Sequence, residues 1–367
     1  MKLFQPLTIR SMTLKNRLVL PALHLGLGVK SSRAREFYLE RARGGAGTII
    51  MAGTSVDLFN DDGAWGRPDG VNLFIETMQP FTAGIRETGA RIGIQLWHGN
   101  QMPAGNGGYV SGVPKVAPSP NEFCRELTIP EIQTIIQRFG DAAGQAKKAG
   151  FDFIELHGAH GYLICQFFSP LDNRRTDRYG GDLDRRMQFG KELVQTVRKS
   201  VGDDFPIFYR LGAFEPIPGG VTPEESGQFA AVLEQAGVDV IDVSLGRSVK
   251  RGASPTQKAE MGTFVHLAET IKQNVTIPVI AVGRINTGAV AESVLAENRA
   301  DLVAVGRQLI VDPLWPQKVQ ENREAEIVAC ISCNRCFGPI LNKKWRPGDR
   351  ICKLNDWAGR EVDRAGA

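Results

Sequence analysis

Residues 128–158 read TIPEIQTIIQRFGDAAGQAKKAGFDFIELHG, and this stretch decides the fold. Thr128 reads as a helix cap, Pro130 stands in the first turn where a missing N–H costs little, and the amphipathic run closes at Gly150. The residues that follow, Phe151–His157, make a short, nearly unbroken apolar run, as expected of a parallel strand covered on both faces. A helix leading straight into a buried strand is the repeating unit of an α/β protein.

Outward from this unit the same alternation recurs, eight times in all. The earlier strand candidates are Arg17–Ala22, Gly47–Gly53 and Arg91–Trp97; the later ones are Pro206–Leu211, Val238–Ser244, Pro278–Val282 and Asp301–Val305. Thr222 and Pro223 open the helical stretch TPEESGQFAAVLEQAG, which stops at Gly237. DLDRRMQFGKELVQTVRKSVG and NTGAVAESVLAEN fill the slots after the fourth and seventh strands. Eight βα units predict a (β/α)8 TIM barrel, with a doubly wound sheet as the alternative. No break is visible before residue 325, so residues 1–325 are expected to form the barrel domain and 326–367 a cysteine-rich C-terminal extension.

The 367 residues suffice for a large core, and the net charge of +4 is small, with bases and acids interleaved. No nucleic-acid partner is expected from that pattern. No apolar run approaches the roughly 18 residues of a membrane span, and MKLFQPLTIRSMTLKNR lacks a signal-peptide core and a twin-arginine signal. A cytoplasmic protein is therefore expected, with reduced thiols, which weighs against disulfides.

Two connections are long: residues 98–127 after the third strand and 158–183 after the fourth. Both leave the C-terminal ends of strands, where barrel enzymes place their chemistry. Polar residues at those ends would share one mouth: His24, Gly53, Gln95 with His98, His157 with His160 and Tyr162, Arg210, Ser244, Gly283–Arg284 and Gly306–Arg307. Arg210 lies inside the otherwise apolar PIFYRLG, so its charge must meet either a barrel carboxylate such as Glu155 or Asp242, or an electron-rich cofactor ring. The tandem AVGRI and AVGRQLIVDP turns, after strands seven and eight, are suited to a phosphate.

These residues resemble the old yellow enzyme family of FMN-dependent barrel oxidoreductases. The likeness is carried by ELHGAHGYLICQFFSPLDNRRTDRYGGDLDRR (Glu155–Arg186), within which SPLDNRRTDRYGG is the most specific block. LFQPLTIRSMTLKNRLVLP, GIQLWHGN and VGRQLIVDP match in order as well. The opening PALHLGLG and the tail CISCNRC are similar to the iron–sulfur branch, which includes 2,4-dienoyl-CoA reductase, 2-enoate reductases and trimethylamine dehydrogenase. The resemblance implies FMN held by Pro21, Ala22, Gly53, Gln95, Arg210, Gly283, Arg284, Gly306 and Arg307, with Arg210 at the flavin's N1/C2 edge. It also implies that His157 and His160 anchor a substrate carbonyl and that Tyr162 delivers a proton; His24 is expected to touch the substrate or the flavin, with a structural role as the alternative.

The expected reaction is reduction of the C=C bond of an α,β-unsaturated carbonyl (enone, enoate or enoyl thioester). Two alternatives stand beside it: oxidative N-demethylation or amine dehydrogenation, and an electron-transfer subunit. The amine dehydrogenases of this branch have tyrosine where this chain has His157, which favours carbonyl recognition. Leu23 and Leu25 flank His24 where relatives carry cysteine, threonine or methionine, so no covalent flavin link is expected there. No Rossmann glycine motif follows a strand, so NAD(P)H would reach FMN in the mouth, or a partner protein would carry the electrons. A homo-oligomer is expected.

Cys330, Cys333 and Cys336 stand at two-residue gaps and Cys352 follows at a distance. Zinc prefers two separated pairs, whereas three closely spaced thiolates and one distant one suit a [4Fe–4S] cubane; zinc and free thiols remain the alternatives. Lys343, Lys344, Arg346, Arg350 and Lys353 would offset the cluster's charge, and Cys124 and Cys165 are expected to be inert.

Overall fold

The computed structural model describes residues 1–28, 30–59, 69–98, 115–247, 255–338 and 349–366. Eight parallel strands close into a barrel: β1 (Leu18–Leu20), β2 (Thr48–Ser55), β3 (Arg91–Trp97), β4 (Phe153–Gly158), β5 (Ile207–Gly212), β6 (Val240–Ser244), β7 (Val279–Ala281) and β8 (Leu302–Ala304). Neighbours in the ring are neighbours in sequence, with β8 pairing β1, so the chain is a TIM barrel rather than the doubly wound alternative. Every expected strand is present: β3 has the expected bounds, β2, β4 and β5 start later and run one or two residues further, and the others are trimmed by one or two residues.

Residues 128–158 fold as their chemistry dictates. Helix α3 (Ile129–Lys148) begins at a capping box, in which Thr128 accepts from the Glu131 N–H and the Glu131 carboxylate accepts from the Thr128 N–H. Gly150 then takes φ +84°, open to glycine at little cost, and the chain turns into β4. Pro223–Ala236 is built alike, with a capping box at Thr222 and a left-handed Gly237 behind it.

An antiparallel hairpin, Leu7–Ile9 with Met12–Leu14, is a sheet feature the sequence pattern did not announce, as is the short parallel pair of Val116–Ala117 with Arg125–Glu126. The hairpin's Ile9, Met12 and Leu14 join Val19, Ile50, Phe153, Phe208, Val240, Ile280 and Leu302 in a cluster of their own and plug the floor of the barrel. There the rings of Phe153 and Phe208 stack at 4.1 Å. A Cβ at Gly93 would lie 2.2 Å from the Phe153 ring, which is why this inward position of β3 carries no side chain.

The tail folds against the barrel. Gln308, on the short helix α9 (Arg307–Val311), accepts from the Cys330 N–H at 2.8 Å and donates to the Val328 carbonyl at 2.9 Å. Ile351, Cys352 and Ala358 belong to the same core cluster as the barrel's helices. Arg41 of helix α1 (Ser32–Arg43), fully buried, reaches Glu361 at 2.5 Å. No helix among the described residues is long and apolar enough to cross a membrane.

Candidate active site

Strand register places the polar side chains. Gln95 of β3 lies opposite Glu155 of β4, His157 of β4 opposite Arg210 of β5, and Arg210 opposite Asp242 of β6. Four consecutive strands thus present a polar belt where an apolar core would be expected. Gln95 Nε2 donates to Glu155 Oε2 at 2.5 Å. Arg210 Nη1 donates to the Ala22 carbonyl at 3.3 Å, and Arg210 Nε lies 3.4 Å from Asp242 Oδ2. Of the two readings left open for Arg210, the ion pair with a barrel carboxylate is present, and the carboxylate is Asp242.

Above this belt stand the two histidines and the tyrosine. The His157 and His160 rings are 5.0 Å apart and nearly perpendicular, and the Tyr162 ring lies 4.7 Å from His157. His160 is held in the left-handed region (φ 61°) by the GAHG turn, and its Nε2 shares a 2.7 Å hydrogen bond with Ser244 Oγ. Burial, reinforced by His160 and by Arg210, pushes the His157 pKa well below the usual imidazole range; burial and Arg210 do the same to His160. Both rings are therefore neutral near pH 7 and keep one N–H each. Burial raises the Tyr162 phenol while Arg210 pulls the other way, so it stays protonated. The Nδ1 of His157 is buried without a hydrogen-bond partner.

Trp97 is the participant that the sequence reading passed over. Its ring meets Tyr162 edge-on at 4.7 Å, and its Nε1 is another buried donor without a partner. The signal was available: Trp97 and Gln95 are two apart on one strand and share a face. His98, one residue further, has the opposite parity and departs from the shared mouth expected for it. It turns outward to Asp57 at 3.7 Å, which also holds Arg138 of α3 at 2.9 Å. His24 is exposed in the segment after β1.

The expected cofactor residues meet in pairs around the same end. At β2 the register slips between Met51 and Thr54, and the freed Ala52 N–H donates to Tyr38 Oη at 2.9 Å. That bulge sets Gly53 beside Gln95 and Trp97, where a Cβ would stand 3.2 Å and 3.1 Å from them. A Cβ at Gly306 would lie 3.3 Å from Pro21. Gly283 has φ +121° and abuts the Phe264 backbone; Arg284 follows at φ 56°, donates Nη1 to the Ala259 carbonyl, and keeps a buried Nε with no partner. Arg307 donates to the Pro255 carbonyl at 2.7 Å and to Asn334 Oδ1, within the cysteine loop, at 2.5 Å.

That loop closes on a partly open pocket lined by Arg307, Ile351 and all four tail cysteines. Cys352 is buried, Cys330 and Cys336 are half-buried, and Cys333 is exposed. Burial pushes the Cys336 thiol up to about 12, with Arg307 opposing it. Among the described residues no three or more His, Cys, Asp or Glu converge as they would around one metal ion. Arg350 donates Nε to the Cys352 carbonyl at 2.7 Å and pairs with Asp356. Lys343, Lys344 and Arg346 lie outside the described residues. Cys165 is buried and its thiol is raised by burial, and Cys124 is buried in the connection after β3.

The SPLDNRRTDRYGG block is scaffolding around this mouth. Ser169 donates to Glu215 at 2.7 Å, and Asn173 Nδ2 donates to the carbonyls of Phe167 and Tyr179. Arg175 Nη1 donates to the carbonyls of Pro118 and Leu127, which fastens the connection after β3 to the connection after β4.

Comparison with known proteins bears on this arrangement. Over 98% of the chain, it is 43% identical to an NADH oxidase of Thermoanaerobacter brockii, and it spans 56% of that protein. The solved structure of a 2-naphthoyl-CoA reductase in complex with 2-naphthoyl-CoA is similar over the whole chain (TM-score 0.86, 31% identity, 58% of that protein covered). A histamine dehydrogenase from Rhizobium sp. 4-9 is similar over 98% of the chain (TM-score 0.85, 27% identity, 53% covered). The chain thus spans little more than half the length of these relatives. The profile of one family matches residues 2–326, nearly the whole barrel, and the chain belongs to it: the NADH:flavin oxidoreductase / NADH oxidase family.

Proposed function

We propose that this FMN-dependent oxidoreductase is an ene-reductase, and that it reduces the C=C bond of an α,β-unsaturated carbonyl compound. The observation that carries the reading is the gathering of His160 and Tyr162 around His157, with ring centroids 5.0 Å and 4.7 Å from it, beside Arg210. FMN fits the mouth because Arg210, Arg284 and Trp97 each leave a buried donor unsatisfied there. Pro21, Ala22, Gly53, Gln95, Arg210, Gly283, Arg284, Gly306 and Arg307 would hold it. When bound, FMN supplies the hydride that NAD(P)H or a partner protein replenishes.

The protein's own groups divide the rest of the work. Neutral His157 and His160 donate hydrogen bonds to the carbonyl oxygen, where negative charge builds as hydride reaches the β-carbon. Ser244 fixes the orientation of the His160 ring. Tyr162, kept as a phenol by burial, gives its proton to the α-carbon. His24, exposed near the mouth, is proposed to contact the substrate. A thioester carbonyl is among the acceptors to try, since a similar reductase is solved with an aromatic acyl-CoA.

The oxidative reading, in which an amine is dehydrogenated, has its support in the likeness to histamine dehydrogenase. Anaerobic titration separates the two. Flavin reduced by NAD(P)H should be reoxidised by an enone or enoyl-CoA, and Tyr162→Phe should slow that half-reaction by roughly 10²–10⁴ without slowing flavin reduction. Bleaching of the flavin by an amine, with no reoxidation by any enoyl acceptor, would sink the ene-reductase.

The extension from residue 326 is proposed to hold a [4Fe–4S] cluster on Cys330, Cys333, Cys336 and Cys352. The shared pocket and the charge of Arg307 beside it support this. In a cubane each thiolate binds a different iron, and four cysteines around one pocket could supply the four. Iron and sulfide analysis of anaerobically prepared protein tests it; stoichiometric zinc, or no metal, would reject it.

A further inference from the structure

Beneath the mouth lie two acids and one base, and the reaction proposed above uses only the base. Glu155 and Asp242 are both fully buried, on the strands either side of the one that carries Arg210. Two carboxylates against one guanidinium would leave a net negative charge with no water to solvate it. The hydrogen bonding is short of donors as well. Gln95 satisfies Glu155 Oε2, but Glu155 Oε1 and both Asp242 oxygens have no partner, and the contact of Arg210 Nε with Asp242 is too poorly aligned to supply one.

A single proton between the carboxyls removes both deficits. We infer that Glu155 carries that proton and donates it to Asp242, so that Arg210 faces one negative charge instead of two. The two carboxyls lie within hydrogen-bond reach, in a sense that disfavours ionisation of Glu155 and favours that of Asp242. The groups acting on the pair are Arg210 from β5, which favours both anions, and neutral Gln95 from β3. Burial is the largest influence on both carboxyls and opposes the ionisation of each; at Glu155 the neighbouring Asp242 charge adds to it, whereas the hydrogen bond from Glu155 relieves Asp242.

The consequence for the cofactor rests on the FMN site proposed above. With Asp242 as the only anion, the field of Arg210 at the flavin is tempered by a single charge, and Glu155 is a positioning residue that keeps it so. Infrared spectroscopy reads the proton directly. The wild-type protein at neutral pH should show the C=O band of a protonated carboxyl that Glu155→Gln removes and Asp242→Asn retains. The flavin midpoint potential should rise in Asp242→Asn, where Arg210 loses its anion, and stay near wild type in Glu155→Gln, where a neutral amide replaces a neutral acid. A band that survives Glu155→Gln, no such band in wild type, or an equal rise in both variants would overturn the inference. Protein that shows the Glu155 band but takes up no flavin would instead overturn the cofactor site, leaving the shared proton standing.

Discussion

The floor and the mouth of this barrel are built from the same eight strands on opposite principles. At the floor, apolar side chains of the hairpin pack with the stacked Phe153 and Phe208 and with residues of the neighbouring strands. At the mouth, Gln95, Glu155, His157, Arg210 and Asp242 are each nearly or fully buried, and several of their polar atoms lack partners. Packing energy is concentrated at one end, and unsatisfied hydrogen-bonding capacity, which costs stability, is kept at the other.

If that division is real, Phe153→Ala should have the largest effect on stability. It removes a stacked ring from a closed space and should cost about 3–5 kcal/mol by urea denaturation, with flavin affinity little changed. Thr128→Ala tests whether everything on the mouth side is chemistry. It should cost about 1 kcal/mol and leave turnover untouched. The capping partner Glu131 is held down to about 2, by Arg125 first and the Thr128 N–H next. The box therefore contributes fully above the ordinary carboxyl pKa of about 4.3 and is lost as pH falls toward about 2. The smallest effect on stability is expected for His157→Phe: within about 1 kcal/mol of wild type, or a gain, because a buried unpaired nitrogen is removed. A loss as large as that for Phe153→Ala would break the comparison.

How much of this was legible in the sequence differs between the two ends. Strand β3 is bounded at Arg91 and Trp97 as the pattern predicts, and the Thr128 cap and Gly150 turn stand where they were read, because these signals are local. The hairpin was missed since its strands are three residues long and gain their stability from the barrel they plug. At the mouth, residue types were legible and partners were not. Arg210 announced a missing countercharge, but its choice of Asp242 over Glu155 depends on register across three strands. His98 was misplaced because its proximity in sequence to Gln95 hid its opposite parity. In the tail, four cysteines were plain, whereas the Asn334 contact to Arg307 joins residues 27 apart through a loop with no periodic pattern.

The buried Arg41 also sets a timetable. Its guanidinium is enclosed by carbonyls of its own helix and of α9, with Glu40 at 3.1 Å, but Glu361 lies 320 residues further along the chain. As the protein is synthesised, α1 emerges early and must wait for every later barrel strand before that carboxylate arrives. Until then the seam between the first and last strands closes over an undercompensated charge. Nascent chains halted short of Glu361 should therefore be more open to proteases at that seam than chains released beyond it.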